Sequence, residues 1–271
     1  MTWQRLSQRA SGTRPDGPYE GVPDHISGPL GDWLFEILQN ASIASTVAIQ
    51  LRVGMSSGLP EFKVARLLVA AASGDQNLCL DMADAVLHFV GNYGGAADRL
   101  RLILALGASV WTVADGDDSL MLVVQDETQA AYEQATSVHD DASDELRTAW
   151  ANAFGRNGDP SDAWDHAIKA VEDILIPVVL PSKPKATLGQ VLHELENRKT
   201  SGLWQMILPG ADKSRDVAPL VAMLRLMWPN HDRHGGIMAK RTPSEAEARA
   251  VVALAATIMQ WHRESWVVQK R

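Results

Sequence analysis

Apolar residues recur at helical spacing along most of this 271-residue chain, and short polar or glycine-containing stretches separate the apolar runs. In the first half, this pattern predicts five helices, at residues 30–38, 42–53, 60–72, 77–90 and 96–106. In the second half, it predicts helices at residues 127–137, 143–154, 162–176 and 187–197, and then two long helices on either side of residues 228–236. The chain is therefore expected to be mainly α-helical.

Individual residues predict where several of these helices begin or end. Ser244 and Glu247 have the spacing of a capping box, which predicts that the last helix begins at this point. Thr187 is a candidate cap for the helix that follows it. Pro177 and Pro181 are expected to end the preceding long helix, because proline has no backbone N–H to donate. Residues 200–215 show no regular period and are predicted to be irregular.

One part of the chain has the pattern of β-strands. Two β-rich runs, at residues 110–113 and 120–124, flank an Asp115-Gly116 turn, which predicts a single β-hairpin. A lone hairpin is marginally stable in water, so we expect it to pack against helices. The aspartates of the turn resemble a calcium loop in charge, but the glutamate at the twelfth position of such a loop is missing. We interpret them as a solvated hairpin tip.

Changes in composition along the chain predict three regions. Residues 1–20 are polar and rich in Pro and Gly, which is typical of a flexible tail. Residues 21–138 are predicted to form an N-terminal helical region that contains the hairpin at about residues 110–124. Residues 139–271 are predicted to form a C-terminal helical bundle. The chain is long enough for two domains of ordinary size.

The composition is that of a globular protein, with 46% hydrophobic and 21% charged residues. Cys79 is the only cysteine, which excludes an internal disulfide and a cysteine-based zinc site and fits a reducing compartment. The N-terminal segment lacks the apolar stretch of a signal peptide. The longest apolar run, at residues 174–180, is too short to cross a bilayer. We therefore expect a cytoplasmic protein that makes no contact with the membrane.

The net charge of −8 limits the ways in which the protein can use nucleic acid. Proteins that coat DNA or RNA depend on a basic surface that displaces counterions from the phosphates. An acidic chain is poorly suited to that role. Any contact with RNA is expected to be a local patch or a brief catalytic encounter.

Residues 228–236 form a polar break between two apolar helices and carry the strongest signal for chemistry. The break brings two histidines, an arginine, an aspartate and an asparagine together, at His231, His234, Arg233, Asp232 and Asn230. An arginine beside a group that titrates near neutral pH can stabilise a pentavalent phosphate and transfer a proton. Such a pair can cleave RNA without a metal, since the 2′-hydroxyl of the substrate is itself the nucleophile.

Four stretches, at residues 149–161, 167–172, 187–189 and 232–235, resemble the core of abortive-infection-type HEPN domains, within a region of about residues 143–262. HEPN domains are compact helical bundles, and many are ribonucleases of antiphage defence or of toxin–antitoxin systems. The resemblance implies a homodimer, because two copies of the domain form one composite site. It also implies an Arg that is followed, after four to six residues, by a His.

Two Arg/His pairs fit this implication in different ways. Arg225 and His231 have the family spacing, with five residues between them, but the spacing is common by chance and the apolar Leu226 follows the arginine. Arg233 and His234 are followed by glycine, as in the abortive-infection variant. We therefore prefer Arg233 and His234 as the catalytic pair.

The other polar residues receive supporting roles under this interpretation. Arg225, His231 and Asn230 are expected to assist catalysis, and Asp232 lies between the two histidines. Glu172 could orient Arg233 as a buried ion partner, and an exposed salt bridge is an equal alternative for this carboxylate.

The resemblance thus implies a metal-independent endoribonuclease of phage defence or toxin type. RNA is the expected substrate, no cofactor is expected, and an antitoxin or a phage-derived trigger protein is a candidate partner. Three alternatives stay open. The domain could be a non-catalytic module that binds a partner or a nucleotide, the histidines could only cap a helix, or His231, Asp232 and His234 could serve a metal-dependent hydrolase.

Overall fold

The structure is a computed structural model, and it describes residues 10–12, 17–54, 59–197, 201–210, 213–228 and 241–271. These residues form eleven α-helices and two short antiparallel strand pairs, so the expected mainly α fold is confirmed. The chain divides into two compact units, Met1–Val123 and Val124–Arg271. Among the helices of the described residues, none has the length and apolar character needed to span a membrane.

The first unit contains five helices and a hairpin. Its elements are α1 (Asp24–Leu38), α2 (Ala41–Gln50), α3 (Glu61–Ser73), α4 (Gln76–Val90), α5 (Ala96–Leu106), β1 (Trp111–Val113) and β2 (Leu120–Leu122). All five predicted helices are confirmed. α1 begins six residues before the predicted start at residue 30. The prediction placed the start too late because Gly28 and Pro29, which usually break helices, lie inside the first turns of α1.

Two buried hydrogen bonds connect the helices and the hairpin of this unit. The indole N–H of Trp33 on α1 donates to the carbonyl of Ala96 at the start of α5, at 3.0 Å. The backbone N–H of Leu120 on β2 donates to the buried carboxylate of Asp84 on α4, at 2.6 Å. The predicted hairpin is confirmed, and it packs against helices as expected, with Leu120 buried in the core.

The second unit is a six-helix bundle with one strand pair. Its elements are α6 (Asp126–Ala135), α7 (Asp141–Phe154), α8 (Pro160–Val179), α9 (Leu188–Glu196), α10 (Ala218–Met227), α11 (Glu245–Glu264), β3 (Trp204–Met206) and β4 (Val268–Lys270). The central helix is α8, which packs against α7, α9 and α11. Sequence reasoning assigned α6 to the first region, whereas α6 packs on α11 in this unit.

Two local predictions for this unit are wrong. Pro177 does not end α8, which continues to Val179 and ends just before Pro181. Pro177 thus lies in the last turn of the helix. Residues 200–215 are not wholly irregular, since β3 pairs with β4 and Gln205 lies opposite Gln269. The two strands are far apart in sequence, so a local pattern carries no signal of their pairing.

The capping boxes anchor two helices of the second unit. The backbone N–H of Ser244 donates to the carboxylate of Glu247 at 2.9 Å, and the backbone N–H of Glu247 donates to the Ser244 hydroxyl at 3.3 Å. This confirms the predicted start of α11. Thr187 and Gln190 form a second capping box, so the predicted cap of α9 is confirmed as well.

Arg263 joins three helices of the second unit through one guanidinium group. From α11, its Nη2 donates to both carboxylate oxygens of Asp140, at 2.7 and 2.6 Å, and its Nε donates to the carbonyl of Ala135, at 3.3 Å. The Arg263 side chain is only 12% exposed. Burial acts to raise the pKa of Asp140, but the hydrogen bonds from Arg263 and Ser143 outweigh it and lower the pKa. The charged pair therefore ties α11 to α6 and α7.

Replacing Arg263 should destabilise the protein. In Arg263→Met, Asp140 and the carbonyl of Ala135 lose their donor, and we expect the free energy of unfolding to fall by about 2 kcal/mol, because Asp140 is 37% exposed and water replaces part of the lost contact. The matched control is Arg249→Met on the same helix, which breaks an exposed ion pair with Glu245 and should cost below about 0.5 kcal/mol. Urea denaturation at pH 7 measures both values. Equal losses in the two variants would contradict the central role of Arg263.

Candidate functional site

The structure describes two of the residues that sequence analysis proposed for the site. Arg233, His234, His231, Asn230 and Asp232 lie at positions 229–240, outside the described residues. Arg225 and Glu172 are described, in α10 and α8 of the second unit. The surroundings of these two residues therefore carry the structural information about the proposed site.

Arg225 is engaged in an ion pair on the protein surface. Its Nη2 donates to the Glu196 carboxylate on α9 at 2.6 Å, and its Nε donates to the other oxygen of the same carboxylate. The hydrogen bonds and the charge of Glu196 raise the pKa of the Arg225 guanidinium. The side chain is 61% exposed. To contact a phosphate, Arg225 must first leave Glu196.

Glu172 caps the N-terminus of α9. Its Oε1 accepts a hydrogen bond of 2.6 Å from the backbone N–H of Leu188, and the side chain is half-buried. Burial raises the pKa of Glu172 and the nearby charge of Asp173 adds to this rise, while the bond from Leu188 opposes it. Sequence reasoning missed this role because Glu172 and Leu188 are 16 residues apart.

The residue that follows α10 also contacts the N-terminal turn of α9. The chain leaves α10 at Met227, whose carbonyl accepts a buried hydrogen bond of 2.8 Å from the indole N–H of Trp164. The ring of the next residue, Trp228, lies against Gly189, where an added Cβ would come within 3.1 Å of the ring. Gly189 thus permits a close approach that a larger residue would hinder.

These contacts bring Glu172 and Trp228 to neighbouring residues of α9. Glu172 binds Leu188 and Trp228 packs on Gly189. We call this group of four residues the α9 corner. The polar segment that holds Arg233 and His234 follows Trp228 directly in the sequence. Trp228, which precedes that segment in the sequence, and the Glu172 carboxylate are therefore held at the same corner of the second unit.

A row of charged residues follows the contact between α7 and α8. Nδ1 of His166 is hydrogen-bonded to Glu145, and the ammonium of Lys169 pairs with Asp165 at 3.0 Å. Partial burial raises the pKa of Asp173, and the charges of Glu145, Asp141 and Asp140 add to the rise. The sequence gives no signal of this contact, because Glu145 is 21 residues away from His166 on another helix. This row is acidic, so it is unsuited to binding RNA phosphates.

A half-buried histidine lies near Arg263. Burial lowers the pKa of His262, the charge of Arg263 lowers it further, and Asp140 opposes the change. Its Nδ1 is buried and has no hydrogen-bond partner among the described residues. A low pKa keeps His262 neutral beside the guanidinium, which makes it a packing residue of the bundle.

No group of three His, Cys, Asp or Glu residues within the described part of the chain is arranged to hold a metal ion. The metal alternative considered from the sequence uses His231, Asp232 and His234, which lie outside that part. Comparisons with protein-family models, with curated proteins and with solved structures find no match to this chain. The HEPN resemblance therefore stays a prediction from the sequence.

The raised pKa of Asp173 leads to a prediction about stability. Because its pKa is higher in the folded than in the unfolded protein, ionised Asp173 destabilises the fold at neutral pH. This penalty disappears as the pH falls through the raised folded pKa to below the ordinary pKa of an aspartate in the unfolded chain. We therefore expect Asp173→Asn to unfold at a higher urea concentration than wild type at pH 7, and the gain to vanish in acid.

The control for this measurement is Asp32→Asn, which changes an exposed aspartate of α1 in the first unit. We expect this variant to unfold at the same urea concentration as wild type. An Asp173→Asn variant that is less stable than wild type at pH 7 would show that Asp173 does not carry unfavourable charge.

Proposed function

We propose that this chain is a metal-independent endoribonuclease of HEPN type that acts in phage defence or as a toxin. Arg233 and His234 are the proposed catalytic pair, with Asn230, His231 and Asp232 in support. RNA is the proposed substrate, and a homodimer completes the site. The proposal rests on the residues of the polar segment and on the HEPN resemblance, and the α9 corner adds physical support.

The structural observation that supports the proposal is the α9 corner, where Glu172 binds Leu188 and Trp228 packs on Gly189. A half-buried carboxylate with a raised pKa favours a nearby cation, because the cation lowers the cost of its charge. One oxygen of Glu172 is bonded to Leu188, and the other is available to orient a guanidinium. Arg233 is five residues beyond Trp228, which makes it the proposed partner.

The proposed chemistry needs one proton removed and one supplied. A base takes the proton of the 2′-hydroxyl, whose oxygen attacks the adjacent phosphorus as the bond to the 5′-oxygen breaks. An acid then donates a proton to that leaving oxygen, so the products carry a 2′,3′-cyclic phosphate and a 5′-hydroxyl. His234 is the proposed group for proton transfer, and Arg233 stabilises the charge on the phosphate in the transition state.

Because Arg225 forms an ion pair, we propose only a minor role in catalysis for it. Its guanidinium is bound to Glu196, and contact with RNA would need to replace that carboxylate. The net charge of −8 likewise favours a brief local encounter with RNA over a wide binding surface. We therefore propose Arg233, and not Arg225, as the arginine that contacts the scissile phosphate.

The decisive test uses RNA cleavage by the full-length protein in the presence of a chelator. We expect His234→Ala and Arg233→Ala to lower the cleavage rate by about 100-fold or more, the range for loss of an acid–base or charge-stabilising group. His139→Ala and Arg249→Ala are the matched controls, on an exposed loop and on α11, and should cleave at the wild-type rate. Mass spectrometry of the fragments detects the cyclic phosphate.

Two results would contradict the proposal. One is a wild-type protein that leaves RNA intact both alone and in cells challenged with phage. The other is cleavage that the chelator abolishes and that a divalent metal restores, which would favour the metal-dependent alternative through His231 and His234.

A non-catalytic module that binds a partner is the second candidate function. One observation favours it: α5 of the first unit exposes Leu102 and Leu106, one helical turn apart, with exposures of 59% and 79%. Exposed leucines at this spacing are typical of helix surfaces that bind another protein. Under this alternative, Leu102→Ser and Leu106→Ser alter the protein's effect on cell growth, whereas His234→Ala does not.

A further inference from the structure

The strand pair β3–β4 has a buried face and an outer face. Trp204, Met206 and Val268 are buried in the core of the second unit. Successive side chains of a strand point to opposite faces, so Gln205 and Gln269 lie on the outer face. They are directly opposite each other in the antiparallel register, and both are partly exposed. The outer face therefore presents two amide side chains.

Backbone carbonyls hold two arginines at one end of this strand pair. Arg271, which follows β4, donates from Nε to the carbonyl of Trp204 at 3.1 Å and from Nη2 to the carbonyl of Ser214 at 2.5 Å. Arg215, the neighbour of Ser214, donates from Nη1 to the carbonyl of Ile207 at 2.6 Å. A carbonyl has no net charge, so these bonds position the guanidinium groups without neutralising them.

Two tryptophans at the strand pair are each paired with a cation. Cζ of Arg215 lies 5.7 Å from the ring centroid of Trp266, which is partly exposed. Nζ of the exposed Lys270 lies 5.4 Å from the ring centroid of Trp204. The buried indole N–H of Trp204 has no acceptor among the described residues. This end of the strand pair is therefore rich in donors and positive charge and poor in acceptors.

The positive charge of this surface is not balanced by carboxylates. Four of its cations form no ion pair with any described residue: Lys213, Arg215, Lys270 and Arg271. Five other arginines of the second unit are paired with carboxylates: Arg147, Arg225, Arg241, Arg249 and Arg263. The nearest acidic residue in sequence, Asp216, accepts a hydrogen bond from the backbone at the start of α10. Unpaired like charges repel one another, and an anionic ligand removes that repulsion.

We propose that this surface binds single-stranded RNA. We call it the ribbon patch, and it consists of Gln205, Lys213, Arg215, Trp266, Gln269, Lys270 and Arg271. The cations contact phosphates, an unpaired base stacks on Trp266, and the two amides reach base edges. The aromatic ring and the amides favour a nucleic acid over other polyanions, and stacking requires a single strand. The choice of RNA rests on the proposed function, whereas the unpaired charge does not.

The ribbon patch is connected to the α9 corner by α9 itself. This helix begins at the corner and has nine residues, which gives a length of about 14 Å. The turn Ser201–Leu203 contacts α9 and directly precedes β3. An RNA strand that is bound on the ribbon patch can therefore reach the α9 corner within a few nucleotides. The patch would hold the sequence that flanks the proposed cleavage site.

The test is fluorescence anisotropy of a labelled 2′-O-methyl oligonucleotide of about 12 nucleotides, within the range of single-strand site sizes, with the full-length protein. This probe lacks the free 2′-hydroxyl that acts as nucleophile, so binding is measured whether or not the protein cleaves RNA. We expect saturable binding. The logarithm of the affinity should fall with the logarithm of the salt concentration with a slope of about −2, the value for three phosphate contacts on a single strand.

The variants separate local charge, net charge and stacking. The double variant Lys270→Gln/Arg271→Gln should bind about tenfold or more weakly, with a slope of about −0.7. Lys63→Gln/Arg66→Gln changes two exposed residues of α3 and removes the same charge, and it should bind like wild type. Trp266→Leu should lose about tenfold in affinity with an unchanged slope, because stacking releases no counterions.

The single variant Lys270→Gln guards against loss of the fold as the cause. Lys270 is exposed, so this variant should keep the circular dichroism spectrum of wild type and still reduce the steepness of the salt dependence by about 0.7.

Three results would overturn the proposal. The first is absence of binding by wild type, and the second is an equal loss of affinity in the two double variants. The third is binding of poly-glutamate or of phosphatidylserine vesicles as tight as that of the oligonucleotide, which would indicate an acidic protein or a lipid surface instead. Binding of the probe without cleavage of ordinary RNA would contradict the proposed ribonuclease and support the ribbon patch.

Discussion

The second unit depends on a single buried guanidinium. Arg263 reaches from α11 to the carbonyl that ends α6 and to the aspartate that caps α7, and lysine could not replace it because several donors are needed in one plane. A buried charge of this kind is tolerated only because Asp140 balances it. Two of the three helices held in this way, α7 and α11, pack directly against α8, so this contact helps to fix the position of α8.

The helical period of α8 distributes chemically different side chains around one axis. Trp164 faces the end of α10, His166 faces α7, and Glu172 faces the start of α9. Because the helix is rigid and packed on three sides, its acidic row is fixed relative to the α9 corner. Glu172 of the corner and Asp173 of the row are consecutive in the sequence, so the acidic row borders the corner.

Features that depend on neighbours in sequence could be predicted, and features that depend on distant residues could not. The capping box at Ser244 and the hairpin around Asp115 are local, and both are present in the structure. The pairing of β3 with β4 and the cap that Glu172 places on Leu188 join residues that are remote in the sequence. The spacing of apolar residues along the chain does not indicate which distant residues will be in contact. Of the proposed site, only Arg225 and Glu172 lie among the described residues, so the rest stays a prediction.

Glu172 connects the fold of the second unit with the proposed ribonuclease. One of its oxygens caps α9, which leaves a single oxygen for a cation. If that oxygen orients Arg233, the catalytic arginine is positioned by the same side chain that fixes the start of α9. The two contacts support each other, because a nearby guanidinium favours the ionised form of Glu172 and the ionised carboxylate is the better acceptor for the N–H of Leu188.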